Sequence, residues 1–114
     1  MEVRETEALV RFAPESGTVF FSGALRLANV KAYDNVVKLM HDAAAQVQGP
    51  LVLDFKELKF LNSSGITAVS LFVVGARKAN TPQLRLVGAR TTAWQQKSLA
   101  NFQMLWKDMA VVIE

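Results

Sequence analysis

The chain has no cysteine among its 114 residues, which excludes disulfides and thiolate metal sites and is compatible with a reducing compartment. It has one histidine, His41, so a metal site or catalytic triad built on two imidazoles has no second member. No stretch approaches the ~20 continuous apolar residues of a membrane helix. The segment Met1–Glu7 is charged and lacks the apolar region of a secretory signal. There is no glycine-rich phosphate loop, no internal repeat, no linker and no low-complexity segment. No dense basic patch is present either. Arg77, Lys78, Arg85, Arg90 and Lys97 are spread along the second half, although the net charge is +3. Nucleic-acid binding would need a tighter cluster or interleaved aromatics. These absences describe a soluble cytoplasmic protein with no expected cofactor, metal, membrane or nucleic-acid partner.

What is present suits one domain over residues 1–114 with a single core, since apolar residues make up 51% of the chain. Ala8–Phe12 and Thr18–Ser22 read as strands of a hairpin turned by Pro14-Glu15-Ser16-Gly17. Gly23–Leu27 leads to a helix from about Ala28 or Asn29. Its apolar face is Val30, Tyr33, Val37, Met40, Ala44 and Val47, and Gly49-Pro50 stops it. Leu51–Phe55 is a buried-type strand, Lys56–Lys59 a polar connection, and Phe60-Leu61 a return to the interior. A helix follows Gly65 and ends near Asn80-Thr81-Pro82. Gln83–Val87 alternates like a strand. Thr91-Thr92 caps a third helix carrying Trp94, Leu99, Phe102 and Leu105, and Ala110–Ile113 is a last strand. The order implies helices alternating with strands of a mostly parallel or mixed sheet, joined by right-handed crossovers.

The chemistry concentrates at one junction. Asn62, Ser63, Ser64 and Gly65 link a strand-like run to the apolar stretch Ile66 to Ala79. Free N–H groups and the positive end of a helix favour negative charge there. Asn and Ser are also common helix caps, so Asn62 or Ser64 can cap while Ser63 points outward. Gly65 reads as a packing or close-approach residue. In the helix itself, Ile66, Val69, Val73 and Ala76 are assigned to the core. Leu71, Phe72 and Val74 then either face solvent beside Ser63 or are buried between neighbouring helices. His41 and Asp42 read as solvated, the tryptophans as packing residues. Asp54 is either a carboxylate near Ser63 or a partner for backbone donors in the next turn.

The run Leu51-Val-Leu-Asp-Phe-Lys-Glu-Leu-Lys-Phe-Leu-Asn-Ser-Ser-Gly-Ile66 resembles the signature of STAS domains, the group that includes bacterial anti-sigma factor antagonists. Gly23–Leu27 and Leu84–Gly88 resemble two further segments of that family, and the likeness covers essentially the whole chain. It implies an α/β fold, a STAS-type mixed sheet of about five strands with three main helices packed mostly on one side. It implies that Ser63 accepts phosphate from a partner serine kinase or anti-sigma factor with a histidine-kinase-type ATPase fold, and that a serine phosphatase removes it. Arg26, Asn62, Ser64 and Gly65 would surround the phosphosite. Ile66, Thr67, Ser70, Leu71 and Val74 would form the docking face for the kinase or a second copy. The protein would then be a regulator in partner switching, not an enzyme. The family's acidic residues are Asn62 and Arg26 here, which moves the local charge towards accepting phosphate. The alternatives are a phosphorylation-independent interaction module of a larger signalling complex and a binder of a small anionic ligand.

Overall fold

The computed structural model describes residues 1–114. Six strands form one sheet in sequential order: β1 (Glu2–Glu5), β2 (Ala8–Ala13), β3 (Thr18–Leu25), β4 (Leu51–Leu61), β5 (Leu84–Gly88) and β6 (Ala110–Ile113). The first three are antiparallel neighbours, and β3 through β6 run parallel. A 3-10 turn at Val30–Tyr33 and α1 (Asp34–Gln46) connect β3 to β4. Helix α2 (Ser63–Ala79) connects β4 to β5, and α3 (Ala93–Leu105) connects β5 to β6. Each parallel crossover advances one strand in the same direction. Right-handed connections therefore place all three helices on the same face. The burial agrees: Val10, Phe12, Val19, Phe21, Leu51, Leu53, Phe55, Leu84 and Leu86 are buried beneath the helices. Arg11 and Arg85, which alternate with these, are exposed on the open face.

The expected element order is found, with three corrections. The first is β1, a sixth strand pairing Glu2–Glu5 with Ala8–Arg11 along the sheet edge. The second is the segment Lys56–Lys59, which is not a connection but part of a continuous β4 that pairs with β3 as far as Leu25 and Leu61. Register shifts after Phe20 and Gly23 bend this pair. Beyond Asp54 the other edge of β4 has no strand neighbour, because β5 pairs only with Leu51–Asp54. Its carbonyls are taken by α3 instead. The fully buried Gln95 amide donates to Phe55 and Leu58 O, and the Trp94 indole donates to Leu58 O at 3.0 Å. The third correction concerns the first helix, where Val30 is exposed and the buried positions are Val36, Leu39, Met40 and Ala43 behind Tyr33. Of the two readings left open for Phe72, burial between helices holds: it lies under α1 with its ring 5.0 Å from that of His41, edge to face. Helix α2 lies between α1 and α3, so its buried arc is wider than one face.

Candidate functional site

Helix α2 begins at Ser63, three residues earlier than the apolar run suggests, because Asn62 caps it. Asn62 Oδ1 accepts from Gly65 N at 3.0 Å and from the Tyr33 hydroxyl at 2.6 Å. Its Nδ2 donates to Leu27 O at 2.8 Å, and its backbone N–H donates to Leu25 O at 3.1 Å. The Tyr33 hydroxyl in turn accepts from Leu27 N at 3.3 Å. One side chain thus ties the start of α2 to the end of β3 and to the 3-10 turn. The amide's donor is essential to that arrangement, since an ionised carboxylate accepts only. Asn62 therefore has a structural role in this chain that aspartate could fill only in part.

Because Asn62 does the capping, the two serines are left free. Ser63 is exposed and Ser64 half-buried, and neither hydroxyl makes a hydrogen bond. The amides of the first two helical residues have no acceptor within the helix, so the Ser63 side chain sits beside unsatisfied donors at the positive helix end. Gly65 is buried, and a Cβ there would lie 2.2 Å from Leu61 Cδ1 and 2.8 Å from the Tyr33 hydroxyl. It is an approach residue, letting α2 close onto Tyr33.

Burial raises the Tyr33 hydroxyl above its ordinary pKa of 10.0, helped by the nearby Glu5 carboxylate and opposed by the Leu27 N–H. A raised acid contributes stability while protonated, and that contribution is lost as pH rises through the folded value. Tyr33 is the sole tyrosine. The phenolate absorbance should therefore appear as one step above the free tyrosine range, coincident with loss of circular dichroism. A step at the ordinary value with the fold intact would show that this hydroxyl is not held as described.

The other expected site residues divide. Thr67 and Leu71 are exposed on the same side of α2 as Ser63, with Leu71 60% accessible. Ile66, Ser70 and Val74 are half-buried along its flanks, and Ser70 Oγ donates back to Ile66 O at 2.8 Å. Arg26 is next to the junction in the backbone but not in its side chain. Its guanidinium pairs with Glu7 and lies over the Phe60 ring, 4.9 Å from the centroid. Asp54 is in mid-strand, where it accepts from Lys56 N at 2.9 Å. It lines a hollow of the open sheet face with Leu9, Arg11, Phe20 and Ser22. The sequence reading missed the Tyr33–Asn62–Leu27 connection, which spans 35 residues and has no local signal.

Sheet order, the single helix layer and the Asn-Ser-Ser-Gly start of α2 together define a domain with the STAS-type fold. No family model matches the chain, and no curated protein matches it. Among solved structures, the chain is similar over its full length to apo-SiaC from Pseudomonas aeruginosa, with TM-score 0.72 and 16% identity, covering 97% of that chain. It is similar also to a chain in the crystal structure of the diguanylate cyclase SiaD in complex with its activator SiaC from the same organism. There the TM-score is 0.68 and the identity 20%, with 100% of this chain and 99% of that chain covered. At these identities the likeness is one of fold. No helix of this chain is long and apolar enough to cross a membrane.

Proposed function

We propose that this chain is a regulatory binding protein rather than an enzyme, acting through the Ser63 end of α2 on a signalling enzyme and switched by phosphorylation of Ser63. The observation that carries the reading is the division of labour at the junction. Asn62 caps the helix, and Ser63 keeps an unbonded, exposed hydroxyl one turn from Thr67 and two from Leu71. A phosphate there would add about −1.5 to −2 charges to an interface otherwise uncharged from Ser63 to Ala76. An apolar or acidic partner surface would be expelled by it. The writer would be a serine kinase of the histidine-kinase-type ATPase fold, and the eraser a serine phosphatase. The likeness to SiaC, an activator of a diguanylate cyclase, supports a cyclase-like signalling enzyme as the controlled partner. This extends the anti-sigma factor antagonist reading to a different client.

The test has two steps. Phosphopeptide analysis of the protein from its native host should find phosphate on Ser63. Ser63→Glu should weaken binding to the enzyme that co-purifies with the wild type at least tenfold, about 1.4 kcal/mol, while Ser63→Ala retains it. A Ser63→Ala protein with full activity and a chain unmodified under every growth condition would replace this reading by a phosphorylation-independent module. One observation favours that rival: the Arg26 guanidinium, the expected phosphate partner, is engaged by Glu7.

A further inference from the structure

The two edges of the sheet are unequal. On one side β6 ends it with Ala110–Ile113, which carry no charge, and on the other β1 ends it with Glu-Val-Arg-Glu. A strand at an edge presents unpaired N–H and C=O groups to any second strand. Which groups β1 presents follows from its pairing with β2. Phe12 N donates to Met1 O at 3.0 Å, so these two opposite residues are a hydrogen-bonded pair. Bonded and non-bonded pairs alternate along an antiparallel ladder. The register Glu2↔Arg11, Val3↔Val10, Arg4↔Leu9, Glu5↔Ala8 therefore makes Val3 and Glu5 the bonded positions of β1. Glu2 and Arg4 lie between them, and their backbone groups point away from the sheet. Their side chains share one face, where they form an exposed ion pair at 2.6 Å. Val3 lies on the opposite face, packed against the core.

Charges of one sign along an edge keep other strands away. Here the sign alternates between the two outward positions, and the pattern is its own complement when reversed. An antiparallel second copy can bond through these positions with Glu2 opposite Glu2, with Arg4 opposite Arg4, or with Glu2 opposite Arg4. The first two set like charges face to face, which destabilises a cross-strand pair. The third sets a glutamate against an arginine twice over, and every outward backbone group of Glu2 and Arg4 finds a partner. We propose that β1 is a self-association edge on which two copies pair in this third register, about a two-fold axis at Val3. The axis stands perpendicular to the sheet, so the sheet continues from one copy to the next with both helix layers on the same side. The contact closes on itself and forms no filament. Lys38 and Asp42 of α1, paired at 2.8 Å, border the same edge and add no net charge.

Within one chain the Glu2–Arg4 pair is exposed to solvent and contributes little, so it is readily exchanged for the cross-strand pairs. The contact is one short strand, less than the ~800 Å² per partner of a standard interface, so the dimer is weak and sensitive to salt. It uses neither α2 nor Ser63. The inference does not rest on phosphorylation or on any other partner, and its test needs only the purified chain.

Sedimentation velocity up to millimolar concentrations should show a reversible monomer–dimer equilibrium that weakens at high salt. Arg4→Glu and Glu2→Arg each leave a single sign of charge at the two outward positions. Each should weaken self-association at least tenfold at an unchanged melting temperature, since both side chains are exposed. An equimolar mixture of the two variants should pair again, because every cross-strand pair is then glutamate against arginine. Because the chain has no native cysteine, register can be read by crosslinking. Val3→Cys should form an intermolecular disulfide on oxidation. It meets its counterpart as a non-bonded pair with Cα atoms ~4.5 Å apart, within reach of that bond. Glu5→Cys, on the same face but ~14 Å along the strand from its counterpart, should not. A monomer at every concentration overturns the proposal. So does a dimer indifferent to both charge reversals, as one formed through β6 or α2 would be. A mixture of the two variants that fails to pair, or a Val3→Cys protein that does not crosslink, overturns it as well.

Discussion

Gly23→Ala is expected to destabilise the protein by about 4 kcal/mol, a large part of the ~5–15 kcal/mol that holds a domain of this size. Gly23 has φ +85°, a region an L side chain enters only under strain of ~1–3 kcal/mol. A Cβ there would lie 2.0 Å from Glu7 O and 2.9 Å from Ala8 Cα, both backbone atoms. Neither can yield cheaply. Glu7 O accepts from Ala24 N at 2.9 Å, and Ala8 is the register partner of Gly23 itself. Relieving the clash would open the β2–β3 ladder at the point where β3 bulges to follow β4. Overpacking of this kind adds a further ~1–3 kcal/mol. Urea unfolding followed by circular dichroism measures the loss, with the slope unchanged if only the native state is affected. Gly49→Ala is the control: nothing lies within 4 Å of its Cβ, and surface changes of this kind stay within ~0.5 kcal/mol. A Gly23→Ala loss below ~1 kcal/mol would mean that the bulge relaxes freely, against this account.

The elements legible from sequence are those whose cause is local. Thr18–Leu25 announces itself by β-branched and aromatic residues, and the Asn-Ser-Ser-Gly junction by its capping chemistry. The strand β1 did not, because Glu-Val-Arg-Glu offers one apolar residue and owes its conformation to pairing with β2. The polar Lys56–Lys59 looked like a loop for a similar reason. Its extended backbone is held by β3 on one side and by Gln95 and Trp94 on the other, residues more than 35 positions away. Phe72 was a candidate for the solvent side of α2 because the helix wheel alone assumes one buried face. The burial of Phe72 depends on α1 arriving beside it, at His41.

The site was legible in position but not in wiring. Ser63 is where the motif placed it, at the first residue of an exposed helix start. Arg26 was not, because sequence proximity to the junction fixes the backbone at Leu25 and Leu27 but not the direction of the side chain between them. Leu25, the last residue of β3, turns into the core, and Arg26 just beyond the strand turns away from it, towards Phe60 and Glu7.

Asn62→Ala should cost about 3 kcal/mol and Asn62→Asp roughly half that, although aspartate stands at this place in the signature the chain resembles. Alanine removes the N-cap, worth ~1 kcal/mol. It also strips the Tyr33 hydroxyl of its acceptor and Leu27 O of its side-chain donor, and a buried polar group left unmade costs ~1–3 kcal/mol. Aspartate keeps the acceptor for Gly65 N and for Tyr33. It cannot donate to Leu27 O, and at neutral pH it sets a carboxylate oxygen against that carbonyl. The effect is therefore a difference of one hydrogen bond and its repulsion, not the loss of the cap. Chemical denaturation of the two variants reads it directly, and Tyr33→Phe in each background isolates the shared partner. If the double variant Asn62→Ala/Tyr33→Phe is no less stable than Asn62→Ala alone, the two residues act as one unit, as their 2.6 Å contact implies. If the losses simply add, Asn62 stabilises α2 only as a cap. An asparagine rather than an aspartate at this position would then have no bearing on how the Ser63 end of the helix is held.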